Sequence, residues 1–397
     1  MRVIAIIPML LALATLSSFA DGDRPHMKPT EAVQRDGLGN FFPKLQPGGE
    51  LTIGYFGASV TNGAGATQEH NKWRWLVHDW LQSQYPETKL RHRHVVNGGT
   101  GGHLGASRLR REHLNHDPAL IFIEFSVNDR AQPYEECLKT MEGMVRQVWR
   151  HDPTCDIIIL HTLDTGHLGE YRKGELPSTP TAFEVVADHY GIPTIDVGWV
   201  ASQKLIADEL TWDEFSIDTV HPTDAGYKIY GDHIIACLDN WRAGAQPGAH
   251  AMPAPLRKDN WEDATMAHPT ECTLSDGWRF ETGDHFRHYP HFLDMMVADA
   301  PGETVSLRFN GTHLGVYHVV GPDSGAVEVF VDGQSKGKVD FWDRWCRGYR
   351  SSFRMLASDL PPGEHGIVMK ILPDKNDNST GHAVRLGFIT LKGGLVR

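Results

Sequence analysis

The sequence predicts two domains, a three-layer α/β domain built on a parallel sheet and a following all-β domain of the sandwich type. Strand-like apolar runs alternate with longer amphipathic stretches between Leu51 and Arg242, which is typical of a parallel sheet covered by helices. Residues 243–255 are rich in Gly, Ala and Pro, as interdomain linkers are. Short alternating segments with turn signals follow, and they favour a β-sandwich. We predict a first domain over residues 21–242, a linker over 243–258 and a second domain over 259–397.

The first domain is predicted to alternate strands with helices. The strands are short apolar runs, at Leu51–Phe56, His94–Val96, Ala119–Phe125, Asp156–His161 and Pro193–Val197. The helices are longer amphipathic stretches, at Asn71–Tyr85, Glu135–Arg150, Ala182–Tyr190 and Thr223–Trp241. Pro86 ends the first of these helices.

The second domain is predicted to consist of antiparallel hairpins. Alternating segments predict strands at Val305–Phe309, Val327–Val331 and Gly366–Ile371. Asn310-Gly311 follows the first strand and Asp332-Gly333 the second, and such pairs favour the tight turns of hairpins.

Charge and the N-terminus narrow the class of protein. The net charge of -12 argues against nucleic-acid binding, which requires a basic surface. Arg2, the apolar stretch from Val3 to Leu16 and the small residues around Ala20 predict a signal peptide over residues 1–20, cleaved near Ala20. That stretch is shorter than the roughly 20 residues a membrane span needs. We therefore expect a secreted or periplasmic protein without a membrane span in the mature chain.

Five cysteines occur, so at least one thiol is left unpaired. In an oxidising compartment Cys137 with Cys155, or Cys272 with Cys346, would pair within one domain, but the sequence does not fix the connectivity. Neither a C-x-x-C nor an H-x-x-x-H spacing is present. We predict no metal site and no cofactor.

Four polar segments are expected at the carboxyl edge of the predicted sheet, where open α/β sheets bind ligands. Gly57-Ala58-Ser59 follows the first strand, Asn97-Gly98-Gly99-Thr100-Gly101-Gly102 the second, and Ser126-Val127-Asn128-Asp129 the third, while Asp218-Thr219-Val220-His221 precedes the last helix. A serine in this place is by itself also typical of a turn or a helix cap. The segment is not the Gly-x-Ser-x-Gly elbow of the larger α/β-hydrolases, because Thr61 stands where that motif has its second glycine.

In this order, the four segments resemble those of the SGNH (GDSL-like) hydrolases, over about residues 50–242. The resemblance implies a flavodoxin-like fold, Ser59 as nucleophile, His221 as its base and Asp218 as the residue that orients the histidine. It also implies an oxyanion hole made by the backbone N–H of Ser59, a glycine N–H and Asn128. The family's Gly-Asp-Ser is Gly57-Ala58-Ser59 here, which leaves the subfamily open.

Acyl transfer from an ester requires the functions that the resemblance assigns to these residues. Serine needs a base within hydrogen-bond reach, and the tetrahedral intermediate needs preorganised donors for its oxyanion. Two glycines fit the second segment. Gly99 lies at the separation from Asn128 that the resemblance implies and is favoured, whereas Gly102 fits an Asn-x-x-x-x-Gly form and is the alternative.

Aromatic residues are the candidates for binding a sugar, because aromatic rings stack on the apolar faces of pyranoses. The segment Leu307–Val316, continuing to Asp323–Gly333, resembles galactose-binding-like jelly rolls. Near it, Trp342 and Trp345 are candidate sugar contacts, with core packing as the alternative explanation. In the first domain, helical spacing lets only one of Trp73 and Trp75 face the core, and Trp73 is our candidate for the cleft.

The predicted function is hydrolysis of carboxylic esters through an acyl-enzyme, with O-acetyl groups on polysaccharides or oligosaccharides as the favoured substrate. A lipase, thioesterase or arylesterase of the same fold is one alternative. A non-catalytic carbohydrate-binding protein is the other. The sequence does not predict the oligomeric state.

Overall fold

The computed structural model describes residues 24–243, 246–282 and 291–396. The predicted signal peptide over residues 1–20 lies outside the described residues. The helices are α1 (Phe41–Lys44), α2 (Ser59–Asn62), α3 (Trp73–Gln84), α4 (Gly102–Glu112), α5 (Tyr134–His151), α6 (Thr165–Tyr171), α7 (Ser178–Tyr190), α8 (Val197–Ile206), α9 (Trp212–Phe215) and α10 (Asp224–Asn240). The strands are β1 (Ala32–Val33), β2 (Glu50–Gly57), β3 (Lys89–His94), β4 (Pro118–Glu124), β5 (Asp156–His161), β6 (Thr194–Asp196), β7 (Ala264–Ala267), β8 (Thr273–Leu274), β9 (Arg279–Thr282), β10 (Asp294–Ala298), β11 (Thr304–Val320), β12 (Ala326–Val331), β13 (Gln334–Asp340), β14 (Arg350–Ala357), β15 (Glu364–Ile371) and β16 (Val384–Leu395). We call α1–α10 with β1–β6 the first domain and β7–β16 the second domain.

The sheet of the first domain has the strand order β1-β6-β5-β4-β2-β3. Strands β2 to β6 pair in parallel, and the two-residue β1 adds an antiparallel edge to β6. Counted along the chain, the parallel strands have the flavodoxin-like order 2-1-3-4-5, which reverses direction between β2 and β4. The predicted fold class of this domain is therefore confirmed.

Helices cover both faces of this sheet because its central strands are apolar on both sides. On β4, Leu120 and Phe122 pack into one core with α3, α8 and α10. Ile121 and Ile123 point to the opposite face and pack into a second core with α4, α5 and α7. All four side chains are fully buried, as expected for a central parallel strand.

Besides the four-residue helices, the sequence pattern missed α4, α6 and α8, and it misplaced one strand. Instead of His94–Val96, the strand is β3, a polar edge strand ending at His94. Helix α4 was not predicted because its buried face carries Arg108, which is fully buried. The Arg108 guanidinium donates to the carbonyl oxygens of Val95 and Gly57, each at 2.7 Å, and to Glu112. An arginine that is buried with both of its terminal nitrogens hydrogen-bonded interrupts the apolar stripe on which helix prediction depends.

The second domain is an antiparallel β domain, which confirms the prediction of its class. Its strands follow the path β13-β12-β15-β11-β16-β10-β9, with β14 and β8 on β11 and β7 on β16. Asp332 and Gly333 both have positive φ and form the predicted turn between β12 and β13. The turn predicted at Asn310-Gly311 is wrong. Strand β11 runs through these residues, and a register shift after Gly311 absorbs the irregularity.

The two domains are in contact through α4 and through the segment that follows α10. Leu104 of α4 belongs to an apolar cluster with Tyr317, Val319 and Phe388 of the second domain. The segment after residue 246 lies along α5, where the backbone N–H of Leu256 donates to Glu142 Oε1 at 2.5 Å. Through Leu104, the second domain packs against α4, the helix that begins at the end of the glycine-rich segment.

All five cysteines are free thiols, so neither of the pairings considered above is formed. Burial raises the pKa of the Cys237 and Cys272 thiols to about 12.

Within the described ranges, no helix combines the length and the apolar character needed to cross a bilayer.

Candidate active site

The polar segments meet where the strand order reverses. Ser59 follows β2, and Asn128 follows β4, the strand paired directly with β2. The glycine-rich segment follows β3, on the other side of β2. Crevices at such a reversal are the usual ligand sites of doubly wound sheets.

Ser59 begins α2 at the end of a tightly packed strand. Gly57 has no room for a side chain, since a Cβ there would collide with the Thr61 hydroxyl and lie 2.6 Å from the carbonyl oxygen of Glu124. Ala58 is fully buried. A carboxylate in its place would need a buried partner, so alanine is the simpler residue for this packing.

Buried charged side chains form hydrogen bonds with the segment around Ser59 and hold it in place. The sequence analysis did not identify them. Arg74 Nε donates to the carbonyl oxygen of Thr61 at 3.0 Å, and Arg108 holds the carbonyl of Gly57. Glu124 is fully buried and accepts from the Thr61 hydroxyl at 2.9 Å. Burial raises the pKa of Glu124. The only signal in the sequence is a charged residue at an otherwise apolar position, which does not identify its partner.

Ser59, His221 and Asp218 form a continuous chain of hydrogen bonds. Ser59 Oγ lies 2.8 Å from His221 Nε2, and His221 Nδ1 lies 2.7 Å from Asp218 Oδ2. Asp218 Oδ1 accepts from the backbone N–H groups of Val220 and His221, each at 2.8 Å. The carboxylate therefore orients the imidazole and also closes the turn that carries it.

The electrostatics of Asp218 favour the charged carboxylate. Partial burial tends to raise its pKa, but the hydrogen bonds from the His221 side chain and from the backbone of His221 and Val220 lower it below its usual value. Asp218 is thus an acceptor at neutral pH. A proton on His221 Nδ1 then leaves Nε2 free to accept one from Ser59.

Gly65 joins the segment of Ser59 to the segment of His221. It has a φ of 98°, and a Cβ there would collide with the carbonyl oxygen of Pro222 and lie 3.3 Å from that of His221. Tyr227 supports the same contact, because its hydroxyl donates to the carbonyl of Ala64 at 2.8 Å. The close approach of the two loops keeps the imidazole at the serine.

The structure separates the two candidate glycines of the second segment. Gly98 and Gly99 are exposed, and a Cβ on Gly98 would lie 3.6 Å from Ser59 Cβ. Gly99 has a φ of 71°, which a glycine adopts without strain. Gly102 is buried, and its N–H already donates to both oxygens of Asp129, at 2.9 and 3.0 Å. The alternative glycine therefore has its only backbone donor engaged, whereas the Gly98–Gly99 turn lies beside Ser59.

Asn128 follows β4 at the same edge of the sheet as Ser59. Its Oδ1 is buried, and within the described residues it has no hydrogen-bond partner. The neighbouring Asp129 is fully buried, and burial raises its pKa to about 6. The bond from Gly102 to Asp129 ties the loop of Asn128 to the glycine-rich segment, so the two candidate sources of oxyanion donors are fixed to each other.

The three tryptophan candidates lie in different environments. Trp73 is only 1% exposed and packs edge-on against Tyr55 and Phe122, so the prediction that it lines the cleft is wrong. Trp342 packs against the core of the second domain. Trp345 is 61% exposed and available to a ligand.

No cluster of three or more His, Cys, Asp and Glu side chains in the described part of the chain is arranged to hold a metal ion.

Residues 55–229 match the model of the GDSL-like Lipase/Acylhydrolase family. The matched stretch contains all five residues of the candidate site, Ser59, Gly99, Asn128, Asp218 and His221. None of the curated proteins compared matches the sequence.

Solved structures extend the likeness to both domains. A two-domain esterase active on acetylated mannans, co-crystallised with mannopentaose, superposes with a TM-score of 0.73 at 20% identity, covering 88% of this chain and 92% of that chain. A second structure of such an esterase gives a TM-score of 0.74 at the same identity and coverage. A mutant of an acetyl-xylooligosaccharide esterase from Geobacillus Stearmophilus matches with a TM-score of 0.39 at 18% identity, covering 49% of this chain and 96% of that one. At 20% identity, the likeness to the two-domain esterase structures shows the fold.

Proposed function

We propose that this chain, whose residues 55–229 match the model of the GDSL-like Lipase/Acylhydrolase family, is a secreted serine esterase that removes O-acetyl groups from polysaccharides or oligosaccharides. The observation that carries the proposal is the hydrogen-bonded chain from Asp218 through His221 to Ser59 at the strand-order reversal of the sheet. This arrangement is the one that activates a serine hydroxyl for attack on a carbonyl carbon.

In the proposed first half-reaction, Ser59 Oγ attacks the ester carbonyl while His221 Nε2 takes its proton. The carbonyl π electrons move to oxygen, and this oxyanion is bound by the backbone N–H of Ser59, the Gly98–Gly99 turn with Gly99 as the favoured donor, and Asn128 Nδ2. Collapse of the intermediate expels the sugar oxygen, which receives the proton from His221. Ser59 is left as an acyl ester.

In the second half-reaction, water attacks this acyl ester while His221 again accepts a proton. Collapse of the second intermediate releases the carboxylic acid and returns the proton to Ser59. Asp218 stabilises the imidazolium of both steps and is not itself protonated. Every proton is transferred by His221, so the cycle requires no metal or cofactor.

Two observations favour an acetylated sugar as the substrate. The two-domain esterase that this chain resembles over 88% of its length is active on acetylated mannans. In addition, Trp345 and Tyr349 are exposed in the segment before β14, and Ser351 of β14 contacts Asn97 beside the site. Six residues span at most about 22 Å, which limits the distance between Trp345 and Ser351, the residue bonded to Asn97.

Ser59→Ala tests the nucleophile. We expect it to lower kcat for acetate release from acetylated mannan and for p-nitrophenyl acetate by roughly 10⁴-fold or more. Ser83→Ala is the control, because Ser83 is an exposed serine of α3 that donates only to the carbonyl of Trp80, at 2.7 Å. Full activity in Ser59→Ala would overturn the proposal.

Chain-length profiling with p-nitrophenyl esters tests the acyl group. A preference for acetate over octanoate is expected, and the reverse preference would identify a lipase-type enzyme. Glycan binding without hydrolysis of any ester would identify a non-catalytic carbohydrate-binding protein.

Export is tested by expressing the full chain in a secreting host and sequencing the N-terminus of the product outside the cytoplasm. A mature chain that starts near Asp21 is expected. Retention of residues 1–20 would contradict the signal peptide.

A further inference from the structure

A hydrogen bond connects the second domain to the glycine turn beside Ser59. Ser351 lies on β14, and its hydroxyl donates to Asn97 Oδ1 at 2.7 Å. Asn97 immediately precedes Gly98, whose Cβ position lies 3.6 Å from Ser59 Cβ. A side chain of the second domain therefore holds the residue from which the turn toward the nucleophile starts.

The turn has little packing of its own. Gly99 is exposed, and a Cβ on it would have nothing within 4 Å. Its conformation therefore depends on its two ends, where the Thr100 hydroxyl donates to the carbonyl of Asn97 at 2.8 Å and Gly102 is bound to Asp129. The side chain of Asn97 is the remaining anchor.

The Asn97 side chain can hold the turn only while it is hydrogen-bonded to Ser351. The residue is 2% exposed, and its Nδ2 is buried with no hydrogen-bond partner in the ranges that the structure describes. The Ser351 hydroxyl is the hydrogen-bond donor to its amide oxygen. Without it, both ends of a buried amide would lack a bond, which favours a different side-chain and turn conformation.

Ser351 is well placed to act as a fixed support. It lies opposite Val319 in the pairing of β14 with β11. Val319 packs in the same cluster as Leu104 of α4, the helix that begins directly after the turn. The second domain thus holds the turn from both sides, through Asn97 before it and through Leu104 after it.

We propose that Ser351 is a positioning residue for the oxyanion hole, so that the second domain contributes to turnover as well as to substrate binding. The inference rests on the proposed function of Ser59 and the glycine turn. Oxyanion donors act only when they are held close to the position of the developing charge. A turn released at Asn97 would still admit substrate but would stabilise the transition state less.

The kinetic test uses Ser351→Ala in the full chain with p-nitrophenyl acetate, which has no sugar and cannot report lost glycan contacts. We expect kcat to fall roughly 10-fold while KM stays within about twofold of the wild-type value. This loss is smaller than the about 10²- to 10³-fold loss in kcat that removal of a whole oxyanion donor causes. Ser351→Thr retains the hydroxyl and is expected to keep the wild-type kcat. Ser352→Ala is the matched control, because the next residue of the strand points to the opposite face.

A second readout does not depend on catalysis. Hydrogen–deuterium exchange of the peptide that contains residues 97–102 is expected to be faster in Ser351→Ala than in the wild type or Ser352→Ala. An unchanged kcat in Ser351→Ala, with or without faster exchange, would overturn the positioning role. If the wild type hydrolysed no ester, or if Ser59→Ala kept full activity, the proposed function would fail instead. Hydrogen–deuterium exchange would then test only whether Ser351 holds Asn97 in place, and unchanged exchange in Ser351→Ala would overturn that role as well.

Discussion

Replacing Asp218 by asparagine is expected to lower kcat roughly 10³-fold while KM stays within about twofold. Asp218 Oδ1 accepts two backbone bonds, and Oδ2 accepts the bond from His221 Nδ1. In asparagine, the carbonyl oxygen can keep the backbone bonds, which turns the amide NH₂ toward Nδ1. Because NH₂ is a donor, it selects the tautomer whose proton is on Nε2, the atom 2.8 Å from Ser59 Oγ. The serine then has no base.

The size of the effect follows from the exposure of the carboxylate. A wrong tautomer costs about 10⁴-fold in a serine protease, whose aspartate is buried. The side chain of Asp218 is 45% exposed, so water screens part of its stabilisation of the imidazolium. A 10³-fold loss corresponds to about 4 kcal/mol of transition-state stabilisation.

Initial rates with p-nitrophenyl acetate measure this loss, and the fold of each variant is checked by thermal unfolding. Asp117→Asn is the matched control. Asp117 Oδ1 lies 2.8 Å from His151 Nε2, and the His151 side chain is 24% exposed against 23% for His221. A wild-type rate is expected for this control. If Asp218→Asn kept more than about a tenth of the wild-type kcat, the tautomer argument would be refuted.

Three further variants test other parts of the site and the fold. Asn128→Ala is expected to lower kcat roughly 10²- to 10³-fold with little change in KM, as loss of one oxyanion donor does; an unchanged rate in the same assay would remove Asn128 from the oxyanion hole. Gly65→Ala is expected to lower kcat at least about 10-fold by displacing the His221 loop, whereas Gly302→Ala, with a similar φ of 101° and open space around it, changes only stability, by about 1 kcal/mol; equal activities of the two variants would contradict this. In urea unfolding, Glu184→Gln is expected to lose stability near pH 7 and to approach the wild type near pH 2. Burial tends to raise the pKa of Glu184, but the hydrogen bond and charge of His161 and the charge of Arg35 lower it to about 2, so its contribution is complete above the unfolded value of about 4.3 and disappears as pH falls through the folded value. A stability difference independent of pH would contradict this role of Glu184.

The central strands could be predicted because burial on both faces leaves an apolar run with a clear length. Strand β5 lies over the predicted Asp156–His161, and β4 differs from the predicted Ala119–Phe125 by one residue at each end. The edge strand β3 is largely polar, so its pattern gave no such signal.

Helix α4, which carries an arginine on its buried face, could not be predicted from its apolar pattern. Arg108 in α4 is fully buried, with its terminal nitrogens bonded to Val95, Gly57 and Glu112, and no local pattern reveals the first two partners. The choice between Trp73 and Trp75 failed for a related reason. Helical spacing separates the two rings without telling which one faces the core, and the contacts of Trp73 with Tyr55 and Phe122 of neighbouring strands decide that Trp73 is buried.

The candidate site could be predicted as far as its segments follow the ends of parallel strands in a fixed order. Their convergence depends only on strand order, which the alternation of strands and helices indicates. The supports from below and from the second domain, among them Arg74 and Ser351, could not be predicted in this way. Their contacts with Thr61 and Asn97 join parts of the chain that meet only after folding.

The central claim is that Ser59 is a nucleophile activated by His221. Its most direct test is to react the full chain with a fluorophosphonate, which loses fluoride to an activated serine, and to locate the adduct by peptide mass spectrometry. We expect one adduct per chain, on Ser59, absent in Ser59→Ala, retained in Ser83→Ala and formed far more slowly in His221→Ala. An adduct on another residue, or full labelling of His221→Ala, would contradict the claim.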